Sequence, residues 1–258
     1  METSFRPIPI TILDFLGVLI PGFLWSLLAT ETYAALEWSA APAFGPMEAW
    51  RRLGGVAAAG GGWIGPLSLV FASLVAGYVL KPVANKIADV LARPFFWLQR
   101  DTRRAGWRTL SFPYPSLYET KDFFPKVGEI LKTVTGVDGI DQLPGRQPFT
   151  AAKRILHATA PTLWEESERM EAEVRMAGSL FLAALYSTGL HLALWWAGYA
   201  KGGLWSAFSL LAALALGFGF NTLRVREVGY TYLNLLLAEG MRARFAALAA
   251  AQRAGADD

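Results

Sequence analysis

The chain contains no cysteine. Disulfide frameworks, thiolate nucleophiles and cysteine-bound metals are therefore excluded. Histidine is nearly as scarce: His157 and His191 are the only two, on separate segments and without HExxH spacing. A zinc or iron enzyme has almost no vocabulary here. Gly60-Gly61-Gly62 is followed by no Gly-Lys-Ser/Thr and preceded by no strand, so it reads as turn and not as a phosphate loop. Charge is sparse too, at 17% of residues, against about 25% in soluble domains. These absences predict a protein that is not an enzyme and carries no cofactor or metal.

What is abundant is apolar surface. The 258 residues are 53% hydrophobic and include ten Trp, and mean hydropathy is +0.32. That exceeds what a soluble core of this length needs, and Trp favours membrane interfaces. Four apolar runs read as membrane spans: Phe15–Ala29, Trp63–Leu80, Met176–Ala197 and Leu204–Phe220, the second at about the minimum length that crosses a hydrocarbon core. Asp14 precedes the first run, where the helix dipole favours a carboxylate; an ionisable group inside the membrane would instead be functional. Pro21-Gly22 is expected to kink or break this run. A weakly basic start, the interruptions at Asp14 and Pro21 and the want of an A-x-A site point to an uncleaved membrane helix and not to a signal peptide. Ser73 and Gly77 give the second run a small-xxx-small face, and Gly189/Ala193 and Ala213/Gly217 do so for the third and fourth.

Polar segments fill the rest. Glu31–Gly62 reads as a loop with interfacial aromatics. Residues 81–175 hold 15 Lys and Arg, against two in the 31–63 loop and one, Lys201, in the last turn. The positive-inside rule puts 81–175 and both termini in the cytoplasm. Within that segment we expect a helix over 83–104 broken at Arg93-Pro94, and a short strand over Trp107–Tyr114. Further helices are expected over 121–135 and 149–159, and another starts at Ala160-Pro161 and runs unbroken into the third span. After Asn221 and Arg224, which end the fourth span as interface anchors, an amphipathic helix follows; Leu233, Leu235, Leu236, Leu237, Phe245 and Leu248 would be its docking side.

The expected fold is mostly α: an integral membrane protein with four transmembrane helices and a cytosolic, mainly helical domain inserted between helices 2 and 3. Its parts are 1–80 (helices 1 and 2 with an external loop), 81–175 (cytosolic domain), 176–221 (helices 3 and 4) and 222–258 (cytosolic C-terminal helix). Four spans bury little alone, so self-association is expected.

Two constellations could carry function. Ser187 and His191 share a helix face four residues apart. Without a G-x-S-x-G context they suit a protease poorly; a hydrogen bond from His191 to the Ser187 hydroxyl or a nearby carbonyl suits them better. Asp14, Ser187, His191 and Asn221 complete the intramembrane polar set. The second constellation is basic and aromatic: Trp97, Arg100, Arg103, Arg104, Trp107 and Arg108, with Lys153, Arg154 and His157 sharing one face of a short helix. It fits anionic lipid, or a nucleotide or single-stranded nucleic acid with Arg on phosphates and Trp on bases. Glu165, Glu166, Glu168, Glu171 and Glu173 read as a solvated face pairing with Arg169 and Arg175, or as the mouth of a cation pathway.

The early Asp14…Pro21-Gly22 helix and the four-span plan with one large cytosolic insert resemble the small multi-span effectors of bacterial antiphage (abortive-infection) systems. The resemblance implies an inner-membrane effector silenced or switched on by a nucleotide, nucleic-acid or protein signal from a partner. The expected function is a homo-oligomeric channel or pore-forming effector; the alternative is a membrane anchor that recruits a soluble partner.

Overall fold

A computed structural model describes residues 12–36, 46–59, 63–98, 113–114, 117, 124–140 and 146–254. Every long element among them is a helix: α1 (Ile12–Leu36), α2 (Pro46–Ala59), α3 (Ile64–Leu91), α4 (Arg93–Leu98), α5 (Phe124–Thr135), α6 (Arg146–Thr159), α7 (Pro161–Trp196) and α8 (Gly202–Ala254). Three of these contain a stretch long and apolar enough to cross a membrane, within α1, α7 and α8. A fourth is reached if the two parts of α3, Ile64–Leu80 and Pro82–Leu91, count as one span; they meet at an angle of 54°. Pro82 explains the bend, because it lacks the amide hydrogen and crowds the carbonyl one turn earlier.

Several expectations are corrected. The 31–62 region is not a continuous loop: α1 carries on to Leu36, and Pro46 opens α2. Pro21 lies inside α1 without ending it. The exit at Lys81-Pro82 bends α3 but does not terminate it. Of the expected strand, Trp107–Phe112 lie outside the described residues, and Pro113 and Tyr114 form a turn and a bend. The expected break near Arg93-Pro94 is present at Ala92: α3 ends at Leu91, and Arg93 and Pro94 open α4. The start of α7 at Pro161 and the run of α8 past Asn221 fall where expected.

The chain divides into two compact units, residues 1–91 with 172–220 and residues 92–171 with 221–258. In the first, α1 packs along α3 and α2 against both. Small residues permit the approach. A side chain at Gly22 would overlap the Ser73 carbonyl, and one at Gly77 would overlap the Val18 carbonyl. Gly22 thus serves contact and not breakage. Phe181 of α7 stacks on Phe220 of α8, with ring centres 6.4 Å apart, and Gly178 leaves room for that ring. Hydroxyls on α1 close back onto their own helix: Ser26 to the Gly22 carbonyl at 3.0 Å, Thr30 to Ser26 at 2.9 Å and Thr32 to Leu28 at 2.7 Å. An apolar surround makes that local satisfaction worthwhile. Ile64, Leu67, Phe71, Val75 and Tyr78 form an exposed apolar stripe on α3, and Leu204, Phe208, Leu211 and Phe218 form another on α8. Stripes of this size facing outward mark surface meant for lipid or protein. Gly189 and Ala193 are exposed, while Ala213 and Gly217 are buried. Of the two expected close-packing faces, the one on the third span is thus exposed and the one on the fourth is buried.

The second unit is built around Tyr232. Phe124 of α5 and Phe149 of α6 meet it edge-on at 5.9 and 6.1 Å, a favourable geometry for aromatic pairs. Val127, Leu131, Ala152, Leu156 and Leu117 complete the core. The buried stripe of α8 matches the expected set in part: Leu235 is buried. Leu233 and Leu237 are exposed, and Arg224, Glu227, Val228, Thr231, Tyr232, Asn234 and Leu235 face inward at helical spacing. These polar groups are mostly matched: Ser167 and Thr231 hydroxyls lie 2.6 Å apart, and Asn234 Nδ2 donates to the Leu163 carbonyl at 3.3 Å.

Candidate functional site in the first unit

Residues 30–36 contain no helix breaker, so α1 extends about two turns beyond its apolar run and carries Glu31 inward. There it meets His191 of α7. Glu31 is 2% exposed and His191 1%. His191 Nε2 lies 2.9 Å from Glu31 Oε1. The other ring nitrogen, Nδ1, lies 2.7 Å from the Ser187 carbonyl oxygen and 3.2 Å from Ser187 Oγ. Ser187 Oγ is in turn 2.9 Å from Ser209 Oγ on α8. The result is a polar chain, Glu31–His191–Ser187–Ser209, that ties three helices together. Trp205 of α8 lies beside the imidazole, 6.4 Å between ring centres.

Beside this chain lies a cavity of about 490 Å³, lined by Ile20, Leu24, Leu27, Leu28, Leu180, Ala183, Ala184, Ala212 and Leu216, with Glu31, Ser187 and Ser209 as its polar residues. Further hydrogen bonds hold the surround: Trp25 Nε1 to Ser179 Oγ at 3.2 Å, and Thr32 Oγ1 with the Tyr186 hydroxyl at 2.8 Å. The turn after α7 is tight. Gly198 has φ +97°, which glycine tolerates best, and a side chain at Gly202 would press on the His191 carbonyl at 2.8 Å.

The expected pairing of Ser187 with His191 is present, and the carbonyl contact accompanies it. A serine-nucleophile arrangement gains nothing: the ring is committed to Glu31 and to a backbone carbonyl of its own helix. Asp14 falls in the first turn of α1. Asn221 is buried, as is Arg224, and neither lies at an exposed interface position. Arg224 donates to Glu227 at 2.6 Å and lies 3.3 Å from the Tyr114 hydroxyl. Glu227 belongs to the second unit. Burial pushes its carboxyl above the usual range; the Arg224 cation opposes this, Glu171 adds to it, and Lys153 opposes it more weakly.

Only part of the basic and aromatic patch falls within the described residues. Trp97 lies in the last turn of α4, and Arg100, Arg103, Arg104, Trp107 and Arg108 lie outside the described residues. Lys153 is drawn onto Glu168, at 2.8 Å, and onto Glu171. Two of the α7 glutamates are thereby taken up by a lysine from α6, not by Arg169 or Arg175 alone. His157 packs edge-on against Trp164 at 4.6 Å. Arg154 points elsewhere, into a groove with Arg146, Gln147 and Thr150.

Glu31 is the residue that sequence reasoning missed. The available signal was the unbroken Thr30–Leu36 stretch, which extends α1 past its apolar run. No protein-family model matches the chain, and neither a curated protein nor a solved structure matches it.

Proposed function

We propose that the protein is a homo-oligomeric channel or pore-forming effector of the bacterial inner membrane, with four spans and both termini in the cytoplasm. Residues 81–175 and the C-terminal part of α8 receive a nucleotide, nucleic-acid or protein signal and gate the spans. By its resemblance to antiphage effectors, the signal reports infection. The observation that carries this reading is the Glu31–His191 pair. Burying an ionisable pair among apolar helices is costly, and intramembrane ionisable groups are functional by default. A passive anchor has no use for one. Supporting it, α7 and α8 each contribute residues to both units as single helices.

The test is electrical. Purified protein in planar bilayers is titrated with nucleotides and oligonucleotides, and discrete conductance steps are expected. Silence under every condition, together with full activity of a chimaera whose spans are foreign helices, would establish the anchor reading instead.

A further inference from the structure

A carbonyl oxygen can only accept, so the 2.7 Å contact to Ser187 places a hydrogen on His191 Nδ1. Nε2 and Glu31 Oε1 then face each other at 2.9 Å. With a neutral ring and an ionised carboxylate, both would present lone pairs across that gap. One proton between them removes the conflict, whether it sits on the carboxyl (O–H···N) or on the ring (O⁻···H–N⁺). Transfer breaks one of these bonds and forms the other, and the loaded pair is neutral in either form. The unloaded pair is an anion in an apolar surround, which costs far more. From α1 the facing ionisable group is Glu31 itself. From the turn after α7 it is Tyr199, near enough to feel the Glu31 charge. The facing part of α8 offers Trp205, Ser206 and Ser209 and no charge.

Glu31 also lines the 490 Å³ cavity, together with Ser187 and Ser209. A water or other proton carrier placed in that cavity would reach Glu31 without the helices parting. We infer that Glu31 and His191 form a binding site for one exchangeable proton, loaded and unloaded through this cavity, and that H⁺ is the ion the membrane unit carries. This deepens the channel reading and rests on it.

The full chain is reconstituted in liposomes enclosing a pH dye, with the potential clamped by K⁺ and valinomycin and a pH step applied outside. Acidification faster than in empty liposomes is expected, falling about tenfold or more in Glu31→Gln. That variant can still hydrogen-bond the neutral ring but holds no transferable proton. Wild-type liposomes that acidify no faster than empty ones, or Glu31→Gln liposomes that match wild type, would overturn the inference. A parallel salt current separates the two readings. Salt current without proton flux leaves the channel and removes the proton; no current of either kind removes both. Because the chain has two histidines, ¹⁵N-histidine spectra of detergent-purified protein give an independent check. His191 should keep Nδ1 protonated throughout and should share the Nε2 proton only when Glu31 is present. A spectrum unchanged in Glu31→Gln would count against the site even if that variant conducts poorly for want of folding.

Discussion

At the scale of residues, the stability of the membrane unit turns on matched polar groups. Removing one partner of a buried pair is worse than replacing it with an isostere, because the survivor keeps its desolvation cost. Glu31→Ala or His191→Ala should therefore cost about 3–5 kcal/mol, and Glu31→Gln clearly less, read as thermal unfolding of detergent-purified protein. The same logic acts at Arg224 in the second unit, where Glu227 is 0% exposed. Burial raises the Glu227 carboxyl above its unfolded value, so the folded state holds its proton more tightly than the unfolded one. Stability linked to this group is present at low pH and is lost as pH rises through the folded pKa. Arg224 offsets the loss by pairing with the carboxylate. Arg224→Gln should accordingly destabilise more at mildly alkaline than at mildly acidic pH, measured by denaturant unfolding across that range.

At the scale of elements, close approach of α1 and α3 depends on three small residues. Gly22 sits against Ser73 and Gly77, with the Gly77 amide nitrogen 2.8 Å from where a Gly22 side chain would begin. The obstacle is backbone and cannot rotate away. Gly22→Ala should therefore force the helices apart and cost about 1–3 kcal/mol. Gly54→Ala on α2, where nothing lies within 4 Å, should instead raise the same unfolding midpoint, by about 0.5–1 kcal/mol of helix propensity. The pair of substitutions separates packing from any general effect of losing glycine.

At the scale of the molecule, topology and assembly follow from charge distribution and exposed apolar area. The absence of cysteine makes single introduced cysteines clean reporters. Asp138→Cys, at a side chain that is 90% exposed, should react with an impermeant thiol reagent only from the cytoplasmic side. Lys201→Cys, in the turn between α7 and α8, should react only from the opposite side. Labelling of both from one side would refute the proposed orientation. The outward stripes on α3 and α8 leave ample apolar surface for other copies. Native mass spectrometry of the detergent-purified protein should give a closed ring of several copies; a bare monomer would remove the pore.

Much of this was legible in the linear order of residues. Long apolar runs, Pro at the start of α7, the break near Arg93-Pro94 and the uninterrupted passage of α8 beyond Asn221 are local properties, set by hydropathy, ring constraint and helix period. Ser187 and His191 met because four residues is one helical turn. The inward stripe of α8 was not legible, because Arg224 and Glu227 look like surface residues until each is seen to neutralise the other. Glu31 was not legible for the same reason: its partner lies 160 positions away, and no local rule brings a carboxylate and an imidazole together over that separation. The sequence by itself determined that the chain is helical and enters a membrane, since both follow from short-range periodicity and apolar content. The tertiary structure decided which charges are buried, because burial of a charge depends on a matching group arriving from elsewhere in the fold.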